Sequence, residues 1–330
     1  MLKYILKRLG LSVLILLGVS LIIYILIRLM PIDFVTNTIN SMNQGGAQIP
    51  EETVQALYKT YGLSDSSFGG ILSGYFNWLL NIFRFDFGVS FTHKVPVTQV
   101  ISSKMGISFA VALIATVFEF LIAIPLGITA ATHQYSFRDY FVTICVMIGI
   151  SLPSFFFGEV LKGIFAYELN WFPISGMVST QGPSGGIALL GDYLHHMILP
   201  ILTIVILSIG PRMRMTRTNM LEVLNADYIR TARAKGLKES KVINKHAFRN
   251  TLIPLVTTLA GLLPSLFSGA IITEQVFGLD GIGNVALKAM NSGDIPFIMG
   301  YNMFLALLSV IGVLLSDLMY AWVDPRVKLE

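Results

Sequence analysis

The sequence predicts an all-α membrane protein, a single domain over 1–330 with six transmembrane helices and both chain ends on the cytoplasmic side. Three observations predict it. The chain is 54% hydrophobic and only 13% charged, with a mean hydropathy of +0.71. A soluble domain carries about 25% charged residues. Six apolar stretches run over 9–30, 105–131, 140–166, 194–211, 252–272 and 297–323. Each is close to the ~20 residues that cross a ~30 Å hydrocarbon layer as a helix. An open chain this apolar satisfies its backbone in lipid only as a helix. Lysine and arginine are also unevenly spread. Segments 1–8, 132–139, 212–251 and 324–330 hold 3, 1, 10 and 2 of them, 16 of the chain's 23. The longer segments 31–104, 167–193 and 273–296 hold few, so the positive-inside rule places the first set in the cytoplasm.

At the N-terminus, Lys3, Lys7 and Arg8 precede an uncharged run from Leu9 to Ile27. The run is longer than a signal-peptide core and reads as a retained helix. Segment 31–104 is too long for a simple connection. Pro50-Glu51-Glu52 marks a helix start, with proline and acids at the positive end of the dipole. Val54, Leu57, Tyr58 and Tyr61 follow at helical spacing. Tyr75, Trp78, Leu79, Ile82 and Phe83 form a second amphipathic stretch. It suits a helix lying in the outer interface, or a compact cap on the bundle. A lone Cys145 excludes an intrachain disulfide framework. The net charge of +4 sits in loops, which argues for an orientation signal and against nucleic-acid binding.

Glu119, Glu159, Lys162 and Asp317 fall within the apolar stretches, where ionisable groups face a bundle interior or an aqueous cavity. Glu159 and Lys162 are three apart and can pair on one helix face. Pairing or snorkelling accounts for them and for Asp317. Glu119 lies mid-span with no local partner and is the candidate for lining a cavity. Pro125, Pro153, Pro200 and Pro264 break the helical ladder locally, and no single one is assigned a mechanism.

The block from Asn225 to Pro254 is polar and strongly basic between two apolar segments. Asn219-x-x-Glu222 and Asn225-Ala226-Asp227 both read as capped helix starts. Leu221, Leu224, Tyr228 and Ala232 recur at helical spacing, with Arg230, Arg233 and Lys235 off that stripe. Gly236 is a C-terminal stop. A second helical piece, Ser240 to Arg249, carries Val242, Ile243 and Phe248, and Pro254 marks the return to the membrane. The positive-inside rule alone supplies a basic inner loop. It does not supply a glycine-broken pair of short helices, which suits a partner's groove.

The run Arg230-Thr231-Ala232-x-x-x-Gly236 resembles the E-A-A-x-x-x-G loop of ABC-importer membrane subunits. The longer string Ala226-Asp227-Tyr228-Ile229-Arg230-Thr231-Ala232-Arg233-Ala234-Lys235-Gly236-Leu237 is more specific. With His246-Ala247-x-Arg249-Asn250 and Pro254, it is similar to the dipeptide/oligopeptide permease branch, which also includes nickel and glutathione permeases. Arg230 and Thr231 replace the glutamate and first alanine of the general loop, and the glycine-to-proline spacing is longer than in maltose-type permeases. Both departures are familiar in the peptide branch. Further resemblances are Tyr4-Ile5-Leu6-Lys7-Arg8-Leu9, Asp86-Phe87-Gly88-x-Ser90, Ser151-Leu152-Pro153-x-Phe155 and Trp171-Phe172-Pro173-x-Ser175-Gly176. They continue with His196-x-Ile198-Leu199-Pro200, Glu274-x-Val276-Phe277-x-x-x-Gly281-Ile282-Gly283 and Asp324-Pro325-Arg326-Val327. Pro31-Ile32-Asp33 departs from the family's more frequent Pro-Gly-Asp-Pro.

The resemblance implies the first-permease (B-type) subunit of an ATP-driven importer in a bacterial or archaeal cell membrane. It implies a second homologous permease subunit, two ABC ATPase subunits and an extracytoplasmic substrate-binding protein that delivers peptide. Residues 226–237 are the expected ATPase-coupling element. Glu119, Ser151 and Pro153 are candidates for the translocation path. Glu274, Phe277, Gly281 and Gly283 are candidates for an outer gate or a binding-protein contact. The chain has no G-x-x-x-x-G-K-[ST], so it is expected not to be an enzyme, with ATP and Mg held by the ATPase subunits. Gly278-Leu279-Asp280-Gly281-Ile282-Gly283 follows an apolar helix, not a strand, and does not read as a phosphate cradle. An ion-coupled secondary transporter using Glu119 or Glu159/Lys162 is the competing class. An intramembrane hydrolase is disfavoured, because His195-His196 lacks the i, i+4 spacing of a helical zinc site, and no metal is expected.

Overall fold

Two long helices running in the same direction form the spine of the molecule. The computed structural model describes residues 2–28, 34–37, 39, 50, 52, 54–55, 68–183 and 185–323. In chain order the helices begin with α1 (Leu2–Arg28), α2 (Phe68–Phe83), α3 (Val97–Thr132) and α4 (Phe137–Ser151). Next come α5 (Ser154–Leu161), continued by a π-helical stretch over Lys162–Glu168, then α6 (Gly186–Leu224) and α7 (Asp227–Ala234). A turn at Glu239–Lys241 and a π-helical stretch over Val242–Ala247 lead into α8 (Phe248–Thr257). The chain closes with α9 (Leu259–Ser268), α10 (Ile271–Val276), α11 (Ile282–Ser292) and α12 (Ile295–Val323).

Packing fixes the directions. Val111 of α3 clusters with Met197 and Leu199 of α6, Ala123 and Ala130 with Met213, and Ala131 with Met220. Residue numbers rise together along both helices, so α3 and α6 are parallel. The α1 helix runs against α12. Arg8 pairs with Asp317 at 3.2 Å, and Tyr24 and Ile27 pack with Phe297 and Tyr301 at the other end. The bundle thus has an α7 end and an α11 end.

The membrane segments differ from their expected form in three places. Four helices among the described residues are long and apolar enough to cross a membrane: α1, α3, α6 and α12. The stretch 140–166, expected as one span, is α4 and α5 bent by 103°. Leu152 is extended (φ −90°, ψ 133°) and Pro153 caps α5. A proline drives the residue before it out of the helical region, which is the physical cause of the elbow. The stretch 252–272 is two ten-residue helices, α8 and α9, interrupted at Thr258. The stretch 194–211 lies inside a 39-residue helix, so the expected inner loop begins at Asn225 and not at 212. Pro125, Pro200 and Pro264 lie inside helices.

The α2 helix lies along α1. Tyr75 Oη is 3.0 Å from Ser20 Oγ, and the Tyr24 ring meets those of Tyr75 and Trp78. Leu80 and Phe83 on its other face are exposed. A helix thus covers the aromatic stretch, with Tyr75 and Trp78 against the first span and Phe83 turned outward. Glu51, Leu57, Tyr58 and Tyr61 of the expected preceding helix lie outside the described residues, as do Pro31-Ile32-Asp33 and Asp324-Pro325-Arg326-Val327.

Candidate functional site

The α7 helix is two-faced. Ile229 (0% exposed) and Ala232 (7%) anchor it, three residues apart on one side. They pack with Met220, Ala131, Val242 and Ala247. Val242 and Ala247 are five apart. In an α-helix that spacing would turn them to different sides, but the π-helical i→i+5 repeat stacks them on one. Asp227, Tyr228, Arg230, Thr231, Arg233, Ala234, Lys235 and Gly236 are exposed, and Ala226 and Leu237 are half-buried. The outward face is thus polar and basic on an apolar seat built from the ends of α3 and α6.

The ends of α7 show how the sequence shapes it. Gly236 has φ +72° with nothing within 4 Å of where a Cβ would stand. Its N–H donates to the Arg233 carbonyl at 2.9 Å, and the Leu237 N–H donates to the Ala232 carbonyl at 3.4 Å. This is a Schellman motif, and Leu237 makes the accompanying apolar contact. Glycine is needed for its backbone conformation here, not for space. The expected start is corrected. Asn219 and Glu222 lie within α6, which runs on without a new start, and Asn225 donates its side chain to the Leu221 carbonyl at 2.9 Å. Asn225 therefore closes α6, and Ala226 begins α7 without a side-chain cap. The second helical piece runs without interruption into α8, with Pro254 inside the helix.

Arg233 closes the loop after α7 by hydrogen-bonding both carboxylate oxygens of Glu239, its Nη2 at 2.7 Å from Oε1. This bond holds the Glu239 carboxyl below its ordinary value and raises Arg233. Partial burial, with the Glu222 charge nearby, raises the Tyr228 hydroxyl.

At the α11 end, Glu274 is 1% exposed. Its Oε1 accepts from Ser108 Oγ at 2.6 Å, and its Oε2 from the Asn284 N–H at 2.9 Å. Ser108 Oγ in turn accepts the Ile282 N–H at 2.8 Å. The carboxylate thereby caps the first turn of α11, where free N–H groups and the dipole favour negative charge. A Cβ at Gly281 would stand 2.6 Å from the Glu274 carboxyl carbon, and one at Gly283 would stand 2.9 Å from Oε2. Close approach therefore explains both glycines of the Glu274…Gly283 motif. Glu274, Phe277, Gly281 and Gly283 are all buried. In this conformation they shape the outer candidate region from within and offer no side-chain surface to a delivery protein.

Segments distant in sequence meet around this centre. The Gly176 N–H donates to the Phe277 carbonyl at 2.9 Å. Lys162 Nζ donates to the Val276 carbonyl at 2.8 Å and to Glu159 Oε1 at 3.1 Å. Beyond the opposite end of α11, Asp294, fully buried, accepts from Ser90 Oγ at 2.5 Å and from the backbone N–H groups of Phe91 and Thr92, both at 3.0 Å.

The translocation-path candidates are not brought together. Ser151 and Pro153 lie exposed at the α4–α5 elbow. Glu119 is 8% exposed and accepts from Arg212 Nε at 2.9 Å. Its partner lies far along the chain, on α6, in keeping with the absence of a local one. Sequence reasoning also missed Asp139 and Arg217, which form a two-pronged ion pair at 2.8 Å for each prong. Ser136-x-x-Asp139 before an apolar run was a readable capping signal. Ser136 does cap α4, its side chain accepting from the Asp139 N–H.

Comparison with known proteins identifies relatives of the chain. The family described as binding-protein-dependent transport system inner membrane component matches residues 123–329. The chain is 35% identical over 329 residues to the oligopeptide transport system permease protein AppB of Bacillus subtilis (strain 168), covering 99% of this chain and 100% of AppB. It is 31% identical over 345 residues to the dipeptide transport system permease protein DppB of Escherichia coli (strain K12), covering 99% of each. Among solved structures, the MetNI methionine ABC transporter in an inward-facing conformation matches with a TM-score of 0.52 at 14% identity. That match covers 69% of this chain and 97% of the other, and it shows the fold alone. The chain belongs to the family of binding-protein-dependent transport system inner membrane components. It is a multi-pass membrane permease component of an ABC importer, a family that works with ATPase and substrate-binding partners.

Proposed function

We propose that the chain forms one half of a translocation path for peptides, paired with a second, homologous permease subunit. Two ABC ATPase subunits, which hold ATP and Mg, dock at the α7 end. An extracytoplasmic binding protein delivers substrate at the α11 end. In this reading the chain crosses the cytoplasmic membrane of a bacterial or archaeal cell six times, N-in and C-in, with α4–α5 and α8–α9 each counted as one broken crossing. The helices α3, α6 and α12 all run one way, which requires a return crossing between each successive pair and supports that count. Peptide is preferred to nickel or glutathione as cargo, because AppB and DppB are described as oligopeptide and dipeptide permeases.

The observation that carries the docking role is the two-faced α7, whose polar side is exposed beyond the end of a 39-residue helix. ATP-driven closure of the ATPase pair would move α7 and, through its apolar seat, α3 and α6, switching two packed states. The test is Gly236→Arg in the complete importer, assayed for ATPase co-purification and ATP-dependent peptide uptake. Loss of both at normal membrane abundance is expected, and unchanged uptake would sink the reading. Uptake that followed an ion gradient in place of ATP would favour a secondary transporter.

A further inference from the structure

We propose that the Asp139–Arg217 pair is the positioning clamp that carries displacement of α7 into α4, and so into the bent α4–α5 segment. The proposal rests on α7 being the ATPase docking element. Arg217 Nε and Nη2 reach Asp139 Oδ1 and Oδ2, each at 2.8 Å, and Asp139 also accepts the Tyr135 N–H at 3.1 Å and the Thr143 hydroxyl at 3.5 Å. The Asp139 side chain is 5% exposed. Such a fork fixes orientation as well as distance.

Its place in the fold gives it a use. Met220 belongs to the seat of α7, and Arg217 precedes it by three residues on the same face of α6. The seat itself is built from α3, α6, α7 and the Val242–Ala247 stretch, without α4. Further along, Val142 and Val146 of α4 pack against Ala123, Ala130 and Met213. Ile150 of α4 also seats against Gly210 of α6, and Arg214 Nη2 lies 2.7 Å from Met147 Sδ, but among these contacts the Arg217–Asp139 fork is the charge-paired one that fixes orientation. Arg212, five residues before Arg217, points about 140° away around the helix and holds Glu119 of α3. The α6 stem therefore grips α3 through Arg212 and pairs with a carboxylate of α4 through Arg217, while Arg214 touches Met147 nearer the elbow at Pro153.

The native Cys145, the chain's single cysteine and exposed on α4, provides the readout. In the complete importer, with cysteine-free partner subunits, a spin label on Cys145 is followed with and without ATP. In parallel preparations, an Arg230→Cys crosslink to the ATPase monitors docking. The expected result is an ATP-dependent label response that falls roughly tenfold in Asp139→Asn, while the crosslink and ATP hydrolysis persist. The exchanged pair Asp139→Arg with Arg217→Asp should restore it, which a loss of fold would not predict. An unchanged response with the crosslink intact overturns the clamp but leaves the docking reading standing. Absence of the crosslink in the parent importer overturns both. If Asp139→Asn does not assemble, Arg217→Lys, which keeps the charge but not the fork, is read in the same way. If neither variant assembles, the pair only holds the fold together, and the proposal fails.

Discussion

Arg212 donates its Nε–H to Glu119 Oε1 across the parallel helices α3 and α6, and its guanidinium carbon lies 5.2 Å from the centre of the Phe120 ring. Breaking a buried ion pair costs about 3–5 kcal/mol, because it strands a charge. The Arg212 side chain is 21% exposed, which places Glu119→Ala at the low end of that range. Glu119→Ala with Arg212→Ala should recover much of the loss. Thermal unfolding of the purified importer, comparing the single and double variants, checks it, and equal losses would refute the pairing.

At the α11 end, two substitutions separate space from charge. Gly281→Ala forces a methyl into the Glu274 carboxyl group and should cost about 1–3 kcal/mol by overpacking. Glu274→Ala leaves the Asn284 N–H and the Ser108 hydroxyl without their acceptor, a loss of about 1–3 kcal/mol per unsatisfied group. Glu274→Gln keeps one acceptor oxygen and should lose less than Glu274→Ala. The order is read from unfolding midpoints, and a Glu274→Ala protein as stable as its parent would contradict it.

Gly236 offers a purely conformational test. Open space surrounds it, so side-chain size should matter little. A left-handed conformation costs an ordinary L-residue roughly 1–2 kcal/mol, and asparagine less. Gly236→Asn should therefore leave α7 better protected than Gly236→Val. Amide-exchange protection of Ile229 and Ala232 measures this, and the opposite order would exclude the Schellman account.

The Arg233–Glu239 contact predicts a weak pH dependence. The folded carboxyl of Glu239 lies below its ordinary value because of Arg233. Its contribution is therefore present above the unfolded glutamate value and is lost as the pH falls through the folded one. Both side chains are substantially exposed, at 43% and 54%, so the effect is small and is screened by salt. Protection of Leu237, corrected for intrinsic exchange, should fall on acidification in the parent chain. It should not do so in Glu239→Gln.

Legibility followed the range of the interaction. The Gly236 stop was readable because a Schellman motif is local, and the Glu159–Lys162 pair because three residues set its geometry. The partner of Glu119 was not, since nothing near it in sequence points to Arg212. The third apolar run was read as one span although Pro153 stood in it. A proline inside a helix and a proline at a corner share the same local signature, and Pro125 and Pro200 took the other course. The Glu274…Gly283 motif was visible as a pattern, but its physical content needed Ser108, brought over by α3. Asn225 was placed at the wrong helix end, because an asparagine side chain can close the helix before it as well as open the one after it.

The length of α6 has a mechanical consequence. Residues 212–224 extend roughly 20 Å at 1.5 Å per residue past the apolar stretch that ends at 211, before the chain turns into α7. On the proposed topology that stem works as a stalk. Its foot, Arg212, is paired with the mid-span Glu119, so the stalk carries the grip point from within the bundle out to the α7 end. A modest tilt of the stalk at its foot is then magnified in proportion to its height, and the same leverage returns torque from the grip to the foot.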